Sequence, residues 1–435
     1  MKLLAVLSLL APLASAAAVS SNTPITYDGY HVFRIDTHGR GDAIERKLQG
    51  LKAVQYNFDT EKHIEIAVAP EDVYKFHKLN LDAALVDMDL GASIRAEGGF
   101  FPDADMTVAS SLSSLRSDGR IPSIQWFDSY HTFPEHQQWL VDVQGAFSRN
   151  SELFEVGKSH EGNPINGIHL WGRNGKGSRP AVYWHGTVHA REWISTMVVE
   201  YLTWKLVTGY SGDSTVKSIL DKYDFYILPV VNPDGFIYSQ KTDRLWRKNR
   251  LPGGSGCFGT DMNRNWPYKW EVPGGSSTSP CAETYRGTGP GSTVEIDALV
   301  KFSQELAGDK GIKLYVDWHS FSQLILLPYG YDCKARVPNY EQQMSLARGV
   351  ANAIKGYGSR RSTFTPGETC PALYKAVGGS TDYMQDVANA EISWCIELHP
   401  TNSGFGAGGF VLTPDKIKPS AEEIWAGMLY LLPTM

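Results

Sequence analysis

Along residues 63–68 (HIEIAV) apolar and polar positions alternate, with Ile64, Ile66 and Val68 on one face, which is the period of a strand. Residues 30–35 (YHVFRI) and 83–88 also read as strands, and residues 42–51 as a short helix. A second helix runs from Pro70 to Leu79, the proline suiting its first turn. This β-α-β-α-β succession predicts a small α+β unit with its helices packed on one face of a sheet. Residues 105–125 then turn to Ser, Asp, Gly and Arg, the composition of an exposed connection open to proteolytic nicking. From Trp126 onward strands and helices alternate. A short apolar strand at 182–184 is followed by a helical period over 193–206, with further strands at 224–231, 313–318, 324–327 and 392–398. Such alternation predicts an α/β domain on a mixed, mostly parallel central sheet flanked by helices.

The first sixteen residues, MKLLAVLSLLAPLASA, combine one lysine, an apolar run and a small-residue ending at Ala14-Ser15-Ala16. They read as a secretory signal peptide cleaved after Ala16, so a secreted, extracellular protein is expected. Acidic residues outnumber basic ones by 47 to 41 for a net charge of −6, which leaves no overall basic field to hold nucleic acid. No apolar stretch reaches the roughly 20 residues that span a bilayer, so no membrane partner is expected. The cysteines, at 257, 281, 333, 370 and 395, are free to form disulfides in an exported chain. Their odd number leaves at least one unpaired in a monomer. No N-x-S/T sequon occurs.

Candidate chemistry starts at His185-Gly186-Thr187-Val188-His189-Ala190-Arg191-Glu192-Trp193, where a strand runs out and a helix begins. His189 and Glu192, three apart there, can aim an imidazole and a carboxylate at one point, a ligand pair that suits zinc. His319 follows the alternating Ile312-Leu314-Val316, at the C-terminal edge of a sheet where α/β ligand sites collect. Three N/O ligands with one position open describe a catalytic zinc; a structural one would take four, usually with cysteines, and no C-x-x-C occurs. In residues 391–398 (EISWCIEL), alternation puts Ile392, Trp394, Ile396 and Leu398 on one face and Cys395 with Glu397 on the other. An acid inside so apolar a strand is expensive unless it has a task.

The stretches HAREW (189–193), NPDGF (232–236), LWRKNR (245–250), DMNRNW (261–266), HSFSQLILLPYGY (319–331), LYKAVGGSTDY (373–383) and IEL (396–398) occur in that order. Together they resemble zinc carboxypeptidases of the A/B type from about Phe127 to the end, and the module at 27–90 resembles that family's activation propeptide. The resemblance implies a signal peptide at 1–16, a ferredoxin-like α+β propeptide domain at 17–104, a connection at 105–125 and a catalytic α/β domain at 126–435. It implies one Zn2+ per chain held by His189, Glu192 and His319, with Glu397 as general base and Arg247 polarising the scissile carbonyl. Asn263 and Arg264 would grip the substrate's terminal carboxylate, Tyr374 would close over it, and Arg191 would serve an outer subsite. Peptide and protein C-termini would be the substrates, the chain's own propeptide an intramolecular inhibitor, and an activating protease would cut the connection, where Arg116 and Arg120 offer trypsin-like sites. A monomer is expected. Cys257 and Cys281 flank a Gly/Ser/Pro-rich excursion, and the resemblance supports pairing them; it also implies Cys333–Cys370, leaving Cys395 free.

Thr381 falls where the resemblance places the floor of the pocket for the substrate's last side chain, and where enzymes selective for Lys and Arg carry an aspartate. With Leu326, Gly330, Thr369, Leu373 and Cys395 as walls, no charge answers a basic side chain, so release of apolar and aromatic residues is expected. Asp382, one residue on, is expected to point elsewhere. His185 is not expected to bind metal, and His31, His38, His63 and His77 read as polar surface. The chain departs from the family pattern at Phe321, in place of a tyrosine, at Leu398-His399-Pro400, and in the GFGAGG loop at 404–409. Two other readings are a homologue that has lost catalysis and serves as a binding protein, and an enzyme of the same chemistry with basic specificity.

Overall fold

The computed structural model of the chain describes residues 23–58, 60–107, 112–400 and 409–435. The expected signal peptide and most of the GFGAGG loop lie outside them. The N-terminal unit runs β1 (His31–Asp36), α1 (Gly41–Leu48), β2 (Ala53–Gln55), β3 (His63–Val68), α2 (Pro70–Lys78), β4 (Ala83–Asp87) and α3 (Leu90–Glu97). Its sheet is antiparallel in the order β2-β3-β1-β4, a ferredoxin-like arrangement. The three-residue β2 is an element the expected β-α-β-α-β succession lacks. Phe33, Ile35, Ile64, Ile66 and Val68 face α1 and α2 through Ile44, Leu48 and Phe76, as the alternation in β3 requires. The opposite face, with Val32 and Ala67, packs on Leu245, Phe410 and Val411 of the larger unit.

The larger unit continues with α4 (Phe133–Ala146), β5 (Ser151–Lys158), β6 (Pro164–Leu170), β7 (Ala181–Gly186), α5 (Trp193–Gly209) and α6 (Ser214–Lys222). After these come β8 (Asp224–Leu228), α7 (Pro233–Lys241), β9 (Pro252–Gly254), β10 (Cys257–Phe258), α8 (Val294–Gly308) and β11 (Ile312–Ser320). The chain ends with β12 (Leu324–Leu327), α9 (Tyr340–Gly356), β13 (Thr365–Glu368), α10 (Thr369–Ala372), α11 (Ser380–Asp386), β14 (Ile392–Leu398) and α12 (Ile417–Thr434). Eight strands form one sheet in the order β13-β12-β14-β11-β7-β8-β6-β5. Four of its pairings are parallel and three antiparallel, so the sheet is mixed with a parallel majority.

Two apolar layers enclose the sheet. Trp184, Val316, Trp318, Trp394 and Ile396 meet the helices on one side, among them α5, buried on all sides over Trp193–Thr203. Tyr183, Tyr315 and Leu228 face Ile296 and Leu299 of α8 and Tyr383 and Met384 of α11 on the other. The strand expected at 224–231 stops at Leu228, since Pro229 supplies no N–H to continue the ladder. Disulfides join Cys257 to Cys281 and Cys333 to Cys370, and Cys395 is a buried free thiol. Among the described residues, no helix is long and apolar enough to cross a membrane.

Candidate active site and metal centre

The central strands β7, β11 and β14 are parallel and end together, and the register of β11 with β14 sets His319 directly beside Glu397 and Asp317 beside Cys395. Alternation therefore turns all four side chains to the face opposite the Trp318–Trp394 layer. Between β7 and α5 the chain makes a tight passage in which Thr187 takes a positive φ of 58°. The passage is fixed by Ser195 Oγ, which accepts from the Thr187 amide and donates to the Trp318 carbonyl. Glu192 then stands at the N-cap of α5, one turn from His189.

His189 Nδ1 lies 2.9 Å from Glu192 Oε1, and His319 Nδ1 lies 3.0 Å from Glu192 Oε2 and 3.1 Å from His189 Nδ1. All three residues are buried, and among the described residues they form the only such group of His, Cys, Asp and Glu that could hold a metal ion. Two ring nitrogens facing one another across a carboxylate make an N,N,O donor set that suits zinc with a position left open. The far nitrogens are anchored too. His189 Nε2 meets Asp261 Oδ1 at 3.1 Å and His319 Nε2 meets Asp317 Oδ2 at 3.0 Å, each carboxylate fixing a ring's orientation and tautomer. Burial alone would raise the Glu192 pKa, but His189 and His319 beside it overcome that and hold it well below the usual carboxylate range.

Around this cluster stand the other expected site residues. Arg247 Nη2 and Nε donate to Asp261 Oδ2 at 2.9 and 3.2 Å, and its Nη1 is 4.0 Å from Glu192. Asn263 Oδ1 accepts from the Ser380 amide at 2.8 Å, while Arg264 donates to Tyr374 Oη at 3.2 Å and to the carbonyls of Gly275 and Asn263. Glu397 has one carboxylate oxygen, Oε2, with no hydrogen-bond partner. Its pKa is pushed up, by burial first and by Glu192 and Asp317 in addition, with His319 and Arg247 pulling the other way. A cavity reaches from His189 and Glu397 past Arg264 and Tyr374 to Thr381 and Cys395. The expected walls Leu326, Gly330, Thr369 and Leu373 line it, joined by Ala376, Gly379 and Asp382.

Asp382 departs from expectation in one respect: it borders the cavity, because Thr381 and Asp382 sit on α11 rather than on a strand or loop. Its carboxylate is nevertheless committed to the amides of Gly330 and Tyr331 at 3.0–3.1 Å. Burial pushes its pKa up to about 7 against the pull of those two amides. Arg191 is also less open than an outer subsite would be: it is 1% exposed and stacks at 4.1 Å on the Phe410 ring. It donates to the carbonyls of Leu245 and Tyr56, with Glu283 at 3.6 Å. His185 stays out of the cluster, its Nε2 against Tyr315 Oη and its Nδ1 3.3 Å from Asp317. Asp261 and Asp317 are what the sequence reading passed over. Asp317 carried the same signal as Glu397, an acid inside an apolar strand.

The N-terminal unit covers this cavity. Phe58 lies 5.0 Å from the Arg247 guanidinium and edge-on to Tyr374, and Tyr56 gives its carbonyl to Arg191.

Residues 136–427 match the zinc carboxypeptidase family, Peptidase_M14. The chain belongs to that family. A metallocarboxypeptidase A-like protein of Trichophyton verrucosum is 43% identical over 408 residues, 92% of each chain. The metallocarboxypeptidase A of Trichophyton rubrum is 40% identical over 437 residues, 98% of this chain and 97% of that one. Among solved structures, thrombin activatable fibrinolysis inhibitor superposes with a TM-score of 0.81 at 25% identity, covering 94% of this chain and all of that one. The zinc carboxypeptidase described here is thus a carboxypeptidase A-like metallopeptidase, and its mixed α/β fold is that of its relatives.

Proposed function

We propose that this chain is a secreted zinc carboxypeptidase made as a zymogen, releasing C-terminal apolar and aromatic residues from peptides and proteins. The observation that carries the reading is the convergence of His189 Nδ1, His319 Nδ1 and the Glu192 carboxylate beside an unpartnered oxygen of Glu397. His189, Glu192 and His319 would hold one zinc, whose chemistry is to polarise a carbonyl and to bring the pKa of water towards about 7. Glu397 takes the proton from the attacking water and returns it to the departing amine, a task suited to a carboxylate whose pKa burial has raised. Arg247, held by Asp261, faces the carbonyl oxygen as negative charge develops there. Arg264, Asn263 and Tyr374 receive the terminal carboxylate, and the cost of burying that guanidinium without its anion disfavours internal peptide bonds. Thr381 and Cys395 line the pocket for the last side chain without charge.

In this reading residues 17–104 are the inhibitory propeptide, 105–125 the cleavable connection and 126–435 the enzyme. Both Arg116 and Arg120 are exposed there, the latter with 87% of its side chain accessible. The test is to treat the full-length chain with a trypsin-like protease and follow release of C-terminal Phe and Arg, with and without a zinc chelator. Chelator-sensitive release of Phe only after cleavage supports the proposal. Equal activity before and after cleavage, or activity that a chelator leaves intact, sinks it.

A further inference from the structure

The face of β11 that carries His319 also carries Asp317, which is fully buried. Its Oδ2 lies 3.0 Å from His319 Nε2 and accepts hydrogen bonds from Ser380 Oγ at 2.6 Å and Asn263 Nδ2 at 3.3 Å. Its Oδ1 faces His185 Nδ1 at 3.3 Å. The partners of Oδ2 come from three places, β11 itself, the first residue of α11 and the short 3-10 helix over Met262–Arg264, while Oδ1 makes no hydrogen bond. A buried carboxylate persists only where such donors replace water.

We propose that Asp317 is a positioning residue that ties the metal ligand His319 to the carboxylate clamp at Asn263 and to the N-terminal turn of α11, which carries Thr381. The proposal rests on the roles given above to His319 and Asn263. His319 turns Nδ1 to the cluster, so its Nε2–H needs an acceptor, and Asp317 supplies a charged one that fixes the ring and strengthens it as a ligand. Asn263 is held at both ends of its amide: Oδ1 accepts from the Ser380 amide, and one Nδ2 proton goes to Asp317. Its Nδ2 also lies 3.1 Å from His319 Nε2, so the amide, the imidazole and the Asp317 carboxylate meet at one point. One carboxylate therefore sets the orientation of a metal ligand and of a substrate-binding amide together, while Asp261 does the equivalent for His189 and Arg247 on the opposite side.

The test is Asp317→Asn, which keeps the shape and removes the charge. Zinc affinity is read on the full-length chain by competition with a chromophoric chelator; KM and kcat are read at saturating zinc after protease treatment; thermal melting reports the fold. Zinc binding is expected to weaken by about 10–100-fold, with KM for a peptide ending in Phe rising about tenfold even at saturating zinc. Ser380→Ala removes one donor and leaves the carboxylate on His319. It is expected to raise KM while zinc affinity stays within about twofold of wild type. A folded Asp317→Asn protein with wild-type zinc affinity, or one whose KM is unchanged at saturating zinc, overturns the proposal. If Asp317→Asn does not fold, an unchanged KM in Ser380→Ala overturns it. His319→Ala in the same zinc titration separates the layers: zinc retained there removes the underlying ligand assignment, whereas zinc lost there but kept in Asp317→Asn removes this inference alone.

Discussion

Thr381 stands on the first turn of α11 and faces the cavity with Cys395 opposite. A lysine or arginine side chain entering there would be desolvated without a counter-charge, at a cost of several kcal/mol, whereas burying an apolar side chain contributes about 1.5–3 kcal/mol. The acid nearest to hand, Asp382, is spent on two backbone amides. We expect kcat/KM for peptides ending in Phe to exceed that for Arg by at least about tenfold, and Thr381→Asp to shift preference towards basic ends. Similar kcat/KM values for Phe and Arg in the unsubstituted enzyme would reject this. Glu397→Gln should keep zinc, since no ligand changes, and lose turnover by about two to four orders of magnitude; a zinc-loaded variant with normal kcat would remove the proposed base. Glu397 could be singled out in the sequence because an acid sat in an apolar strand beside a family motif. Asp317 carries the same local signal two residues before His319 on the face that alternation gives them both; what alternation could not supply are Asn263 and Ser380, which reach that carboxylate from other elements.

At the scale of elements, long strands with clean periods were legible and broken ones were not. β3 and β14 fall where alternation puts them. β5 and β6 are interrupted by Gly157, Pro164 and Gly167, so neither offers a period to read. β2 is too short to have one. Pairing also creates chemistry that no single strand shows. In the N-terminal sheet Arg34 on β1 is registered with Glu65 on β3, and Glu65 is 7% exposed. Burial pushes the Glu65 pKa from 4.5 up to about 7 even though Arg34 donates to it at 3.1 Å. A carboxyl whose folded pKa lies above its unfolded value favours folding fully below pH 4.5 and loses that contribution as pH rises towards about 7. The window corresponds to roughly 3 kcal/mol. Thermal melting of the N-terminal unit in the full-length chain should therefore fall between pH 4.5 and 7.5, and Glu65→Gln should flatten that fall. Parallel pH profiles for the two proteins would show that Glu65 titrates normally.

For the whole molecule, the question is how firmly the N-terminal unit is fastened over the cavity. One buried attachment in the contact is the ion pair of Glu97, at the end of α3, with Arg244 of the larger unit. Arg244 Nε and Nη2 donate to the two carboxylate oxygens at 2.6 and 2.8 Å, and neither side chain is more than 1% exposed. The Leu412 amide donates to the same carboxylate, while Arg244 also donates to the carbonyls of Arg191 and Phe410 and lies 3.6 Å from the Trp193 ring. Removing one member of such a pair strands the other charge in a buried place, which costs about 3–5 kcal/mol. By contrast, the pair Lys52–Glu71 lies wholly within the N-terminal unit and is more than half exposed at both ends, so it fastens nothing across the contact. In the proposed zymogen, Glu97→Ala should therefore let the uncleaved chain hydrolyse peptides measurably, while Glu71→Ala stays as silent as wild type. After protease treatment all three should show the same activity, since Glu97 and Glu71 depart with the N-terminal unit. Activity assays on intact chains, checked by electrophoresis before and after the reaction, decide it. A folded, intact Glu97→Ala chain that remains silent would mean that the cover is held by its apolar contacts at Tyr56, Phe58 and Phe410 and not by this ion pair.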